Sequence, residues 1–197
     1  MSDLNDLLES ANTLFLKKQF TDAISTYKKI IDLDPSNLIA INNLGYALSK
    51  SKDYQNAISY YDYGLQQHPN EKTLLINKIS ASRKMAMLDY ALDSCNTILS
   101  KNPNDLIVLY HKLRILYALN EYEQSLEICD KILLFYPNNG DVLFDKVCNL
   151  IALDRNEECL KSLNAAIKIS NKFKLKAKKN KIFKKLEKNQ NFINLIA

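Results

Sequence analysis

Two histidines, His68 and His111, and four cysteines, Cys95, Cys129, Cys148 and Cys159, are the side chains best suited to proton transfer, nucleophilic attack or soft-metal ligation. Their spacing supplies none of these chemistries. No C-x-x-C pair points to zinc, and no H-E-x-x-H, G-x-S-x-G or Gly-rich phosphate loop occurs. Catalysis would fall to Cys148 or His111, and neither has a partner visible in the sequence. The expectation is a chain with no catalytic residues, no metal and no cofactor, hence not an enzyme. Four cysteines in 197 residues are too sparse for a secreted disulfide framework, so they read as free buried thiols. His68 precedes Pro69 in a turn and reads as an exposed polar residue.

Lysine is the other reactive class, and it is unevenly placed. From Lys172 to the end, nine lysines stand against one acid, Glu187, a net +8. The whole chain carries +5, which leaves −3 on residues 1–171. The lysines fit a solvated end surface, or a basic patch for nucleic acid or anionic lipid. The opening MSDLNDLLES lacks the basic and apolar regions of a signal peptide, and no apolar run approaches the roughly 20 residues that span a bilayer. A cytoplasmic location is expected.

The elements that must position these residues follow from one period. Pro35, Pro69, Pro103 and Pro137 are the only prolines, and the same interval separates each from the next. Other columns keep the phase. A small residue recurs as Ala23, Ala57, Ala91, Ser125 and Cys159, and a second column runs Tyr27, Tyr61, Cys95, Cys129, Leu163. Upstream lie Leu7, Ile41, Leu75, Leu109 and Leu143, with Ala11, Gly45, Ile79, Leu113 and Val147 beside them. The fifth repeat has Asn171 in place of its proline.

Within a repeat the apolar spacing is helical. Leu4, Leu7, Leu8, Ala11, Leu14 and Phe15 share one helix face, and Phe20, Ala23, Ile24, Tyr27, Ile30 and Ile31 share another. A polar turn joins them, and each second helix stops before its proline. Two antiparallel helices approach closely only where one side chain is small, which explains the alanine column. One such pair cannot bury its own apolar face, so neighbours must stack.

This pattern resembles the tetratricopeptide repeat (TPR) family, W-x₂-L-G-x₂-Y, then A-x₃-F, then P, within a period of about 34 residues. The second repeat matches best, with Ile41, Leu44, Gly45, Leu48, Ala57, Tyr61 and Pro69. Other repeats depart from it: Lys78, Lys112 and Lys146 stand in the Leu44 column, and none has the tryptophan. The resemblance implies an all-α fold, a right-handed α-α superhelix (solenoid) of about five helix pairs plus a C-terminal capping helix. Its repeats would span about 4–37, 38–71, 72–105, 106–139 and 140–173, with residues 172–197 a basic capping helix and tail.

In that family the first helix of each repeat lines a concave groove for a peptide or helix of a partner. Carried over by phase, the resemblance implies a partner-binding set of Asn12, Asn42, Asn43, Tyr46, Lys50, Asn77, Arg83, Lys84, Tyr110, His111, Arg114 and Tyr117, with Phe15, Ser80, Phe144 and Cys148 beside them. Asparagine amides both donate to and accept from a peptide backbone, and tyrosine and arginine serve as interface anchors. An acidic segment would suit Lys50, Arg83, Lys84 and Arg114. The family's carboxylate clamp is disfavoured, because Leu8, Thr73 and Asn77 occupy its cation positions. The function expected is a non-enzymatic scaffold or adaptor that binds another protein. The alternative is a helical-repeat protein that binds nucleic acid through the lysine-rich end, which the acidic body disfavours.

Overall fold

The computed structural model describes residues 2–197, apart from the side chain of Ser2. The described residues form helices with no strands. In chain order they are α1 (Ser2–Leu16), α2 (Phe20–Leu33), α3 (Leu38–Lys50), α4 (Tyr54–Gln67), α5 (Lys72–Lys84), α6 (Leu88–Lys101), α7 (Leu106–Ala118), α8 (Tyr122–Phe135), α9 (Gly140–Ala152) and α10 (Asn156–Ile169). The lysine-rich end is not one helix. It breaks into α11 (Lys172–Lys179), a 3₁₀ segment (Lys181–Leu186) and α12 (Gln190–Ile196). The chain divides into two compact units, one ending at Asn96 and one beginning at Thr97.

Helix boundaries follow from local chemistry that repeats in phase. Asn37, Glu71, Asp105 and Asn139 each follow a proline by the same short offset and accept a backbone N–H of the following first turn. At the opposite end, Lys18, Lys52, Ala86, Asn120 and Asp154 take left-handed φ values of 62°, 66°, 58°, 64° and 56°. They too recur at the proline interval. Each permits a Schellman closure, as when the Asp53 N–H donates to the Leu48 carbonyl at 2.9 Å and the Lys52 N–H to Ser49 at 3.2 Å.

In the first unit α1 packs on α2, α2 on α3, α3 on α4 and α4 on α5. Ala11, Ala23, Tyr27, Ile41, Leu44, Ala57 and Tyr61 form its core. In the second unit α7, α8, α9 and α10 pack in sequence, and α11 continues against α10. The small column is fully buried throughout: Ala23, Ala57, Ala91, Ser125 and Cys159 have no exposed surface. Ser125 satisfies its buried hydroxyl by donating to the Leu113 carbonyl at 2.8 Å.

Departures from the repeat pattern have partners. Lys78 pairs with Asp62 and lies 4.9 Å from the centre of the Tyr90 ring, while Lys146 pairs with Asp130. In both cases the aspartate lies on the helix just before, at the same offset from its lysine. The second helix of one repeat thus supplies the carboxylate for the first helix of the next. Burial pulls the Lys78 ammonium down, yet hydrogen bonds and charge from Asp62 and Tyr90 outweigh it, and its pKa stands above the ordinary lysine value.

Candidate functional site

The first unit gathers the predicted asparagines into a ladder across three first helices. Asn77 Nδ2 donates to Asn42 Oδ1 at 2.9 Å, Asn42 Nδ2 to Asn43 Oδ1 at 3.2 Å, and Asn43 Nδ2 to Asn12 Oδ1 at 3.1 Å. The Tyr27 hydroxyl closes the series by donating to Asn12 Oδ1 at 2.6 Å, and burial holds its pKa above the usual tyrosine value. All four asparagines are half-buried. Helix α3 contributes two of them because Asn42 and Asn43 are adjacent and face its two neighbouring first helices.

At the α1 end of the ladder is an open cavity of about 370 Å³, lined by Asn12, Phe15, Leu16, Tyr27, Asn43 and Tyr46. Its wall is aromatic: the Phe15 ring lies 5.4 Å from Tyr46 and 5.5 Å from Phe20. Lys50 stacks over Tyr46 at 4.8 Å, placing an ammonium at the rim. Leu16 is 79% exposed, an aliphatic side chain left in water beside the cavity. The two N–H donors of Asn12 lie outside the ladder, whereas the Asn43 amide also bonds the Tyr27 hydroxyl. The arrangement can receive one apolar side chain and hydrogen-bond the backbone on either side of it.

Lys84 and Arg83 do not join this cluster. Lys84 turns to the second helix of its neighbour, 5.7 Å over the Tyr54 ring, and Arg83 is half-buried.

The second unit brings Tyr110 and Arg114 together but changes their chemistry. Arg114 donates from Nη2 to the Tyr110 hydroxyl at 2.9 Å and from Nε to Asp145 Oδ2 at 3.1 Å. Asp145, on α9, lies outside the predicted set. It neutralises the arginine that was expected to meet an acidic partner. Burial pushes the Asp145 carboxyl up, and Arg114 offsets only part of that effect. Burial also pushes Tyr110 and Tyr117 up to about 12. Tyr117 packs edge-on against Tyr122 at 5.5 Å, and His111 is half-buried.

Phe144 and Cys148, expected on the binding face, are covered instead. Phe144 is 7% exposed and stacks with Phe173 at 5.7 Å and Phe183 at 5.8 Å. Asn180 points its amide at Cys148 Sγ, 3.8 Å away. Sequence phase could not show this, because the covering residues lie outside the period. None of the four cysteines is in a disulfide and all are buried, and burial raises Cys148 and Cys159 to about 12, which removes them as nucleophiles near neutral pH. His68 is half-buried rather than exposed, with Nε2 3.4 Å from the Ser36 carbonyl. Among the described residues no group of acids, cysteines and histidines could hold a metal, and no helix is long and apolar enough to cross a membrane.

Helix pairs in a fixed phase, each closed by the same left-handed turn and stacked through a small-residue column, define a helical-repeat protein of the solenoid class. Family models described as Tetratricopeptide repeat match residues 7–37 and 26–59. Comparison with curated proteins gives no match. Among solved structures, a tetratricopeptide repeat protein from Parabacteroides merdae ATCC 43184 is 20% identical, with a TM-score of 0.85 over 99% of this chain and 78% of that one. MamA 41-end from Desulfovibrio magneticus RS-1 is 15% identical, with a TM-score of 0.78 over 86% and 96%. YrrB, a TPR protein with an unusual peptide-binding site, is 20% identical, with a TM-score of 0.69 over 88% and 91%. These likenesses establish the fold.

Proposed function

We propose that the chain is a non-enzymatic interaction scaffold of five repeats that holds a peptide or helix of a partner protein on its first helices. One observation carries the reading: the 370 Å³ cavity of the first unit, where an aromatic wall adjoins the unused amide donors of Asn12. An apolar anchor side chain enters between Phe15 and Tyr46, and the partner's carbonyls accept from Asn12. Buried aromatic anchors flanked by satisfied polar groups carry most of the energy of such interfaces. Lys50 at the rim favours an acidic residue beside that anchor. The remaining first-unit residues, Asn42 and Asn77, hold the two cavity amides in register. In the second unit Tyr110, His111 and Tyr117 offer a contact surface of their own, with the charge of Arg114 met by Asp145. The likeness to YrrB supports peptide binding as the mode.

Selection of displayed peptides on the full chain tests this. Selected peptides are expected to share one large apolar residue and to lose at least about tenfold in affinity for Tyr46→Ala, roughly 1.4 kcal/mol. Tyr46 is 40% exposed, so the fold tolerates its truncation. Undiminished binding to a folded Tyr46→Ala protein would place the interaction elsewhere.

A further inference from the structure

The nine lysines of the terminal segment are not equivalent. Lys172 and Lys176 reach Asp141 at 3.1 and 2.8 Å, and Lys185 reaches Asp154 at 2.8 Å. These three fasten the segment to α9 and to the turn after it. Lys178, Lys179, Lys181 and Lys184 make no ion pair among the described residues, yet all four line one open cavity of about 220 Å³.

Glu187 is the sole carboxylate of that wall. Four lysines against one glutamate leave a net charge of +3 on the residues that line a recess whose floor includes Phe183 and Phe192, 3% and 4% exposed. An apolar floor keeps the field of these lysines from being screened by water on that side, which favours entry of an anion. The recess forms because Asn180 interrupts the helix: its side chain accepts the Ile182 N–H at 3.2 Å, so α11 and the 3₁₀ segment present their lysines to the same space.

We propose that this cavity is a binding site for a compact, multiply charged anion of the phosphate class, carried by a phosphorylated peptide or by a free polyphosphate. A nucleic-acid strand fits it less well. Strand binding needs aromatic faces open to bases and a basic track along the body, whereas Phe183 and Phe192 are buried and residues 1–171 carry −3. The site is separate from the first-unit cavity, so either can fail without the other.

The test is a nuclear magnetic resonance titration of the full chain with inorganic pyrophosphate, with a peptide bearing two adjacent phosphoserines, and with the same peptide unphosphorylated. Saturable shifts are expected at the amides of residues 178–187, with no response to the unphosphorylated peptide. Tighter binding of the phosphopeptide assigns the site to a protein ligand, and tighter binding of pyrophosphate to a free one. The combined Lys181→Gln and Lys184→Gln substitutions are expected to weaken binding at least about tenfold with little change in thermal midpoint, because neither lysine is paired. The same changes at Lys17 and Lys52, neither of which lines the recess, keep the anion affinity within about twofold. Shifts scattered over distant lysines such as Lys17 and Lys52 would overturn the proposal. So would unchanged affinity in the first variant, or duplex DNA or phosphatidylserine vesicles binding more tightly than either phosphate probe.

Discussion

Gly45 on α3 lies against the ring of Tyr61 on α4, with no room between them for a Cβ. This contact sets how closely the two helices of the second repeat approach. In the fourth and fifth repeats the same columns hold Leu113 with Cys129, and Val147 with Leu163, each pair sharing one core cluster. The pairing of glycine with tyrosine is thus one of several ways in which the two columns fill the same space.

Gly45→Ala is therefore expected to destabilise the protein by about 1–3 kcal/mol through overpacking, despite the better helix propensity of alanine. Combining it with Tyr61→Leu should recover part of that cost, with a coupling of at least about 0.5 kcal/mol in a double-mutant cycle of denaturant unfolding. Additive effects would show that the two side chains do not set the spacing.

Ala86 holds a φ of 58° without the side-chain compensation that Asn120 or Asp154 can provide. Ala86→Gly is expected to stabilise by about 0.5–1 kcal/mol, measured as a shift of the urea midpoint at constant slope. The same change at helical Ala57 should destabilise by about 1 kcal/mol. A loss of stability at position 86 would contradict the Schellman assignment.

Asp141 receives hydrogen bonds from Lys176 and Lys172, and these hold its carboxyl below the ordinary aspartate value. A depressed folded value means the attachment is complete above the unfolded pKa and is lost as pH falls through the folded one. Lowering the pH from about 5 to about 2 should therefore loosen the terminal segment, read as lower amide protection factors at residues 173–186. High salt should act in the same direction. Asp141→Asn should show that loosening already at neutral pH, and unaltered exchange in the variant would exclude these ion pairs as the fastening.

Burial raises the Asp145 carboxyl above the ordinary aspartate value, and Arg114 draws it part of the way back. Arg114→Leu should raise the Asp145 carboxyl further, measured by carbon-13 titration of its side chain. A downward shift would mean that Arg114 does not face it.

The helix pairs and most of the core were legible in the sequence because one period fixed the phase of every column. Left-handed turns at Lys18, Lys52 and Ala86 were not, since none is glycine or asparagine and backbone closure alone demands the conformation. The lysines at 78 and 146 read as departures because their aspartates lie on the preceding helix, across a repeat boundary. Phase correctly brought Asn12, Asn43 and Tyr46 onto neighbouring first helices. It misjudged Arg114 and Phe144, whose surroundings depend on Asp145 and on the aperiodic end of the chain.

The most direct test of the binding account is to map a selected peptide onto the full chain by amide chemical-shift changes. Perturbations are expected to concentrate on residues 12–16 and 42–50 and to be abolished by Asn43→Ala with Tyr46→Ala in a protein that still unfolds cooperatively. Perturbations confined to the second helices α2 and α4, or to residues 172–197, would contradict it.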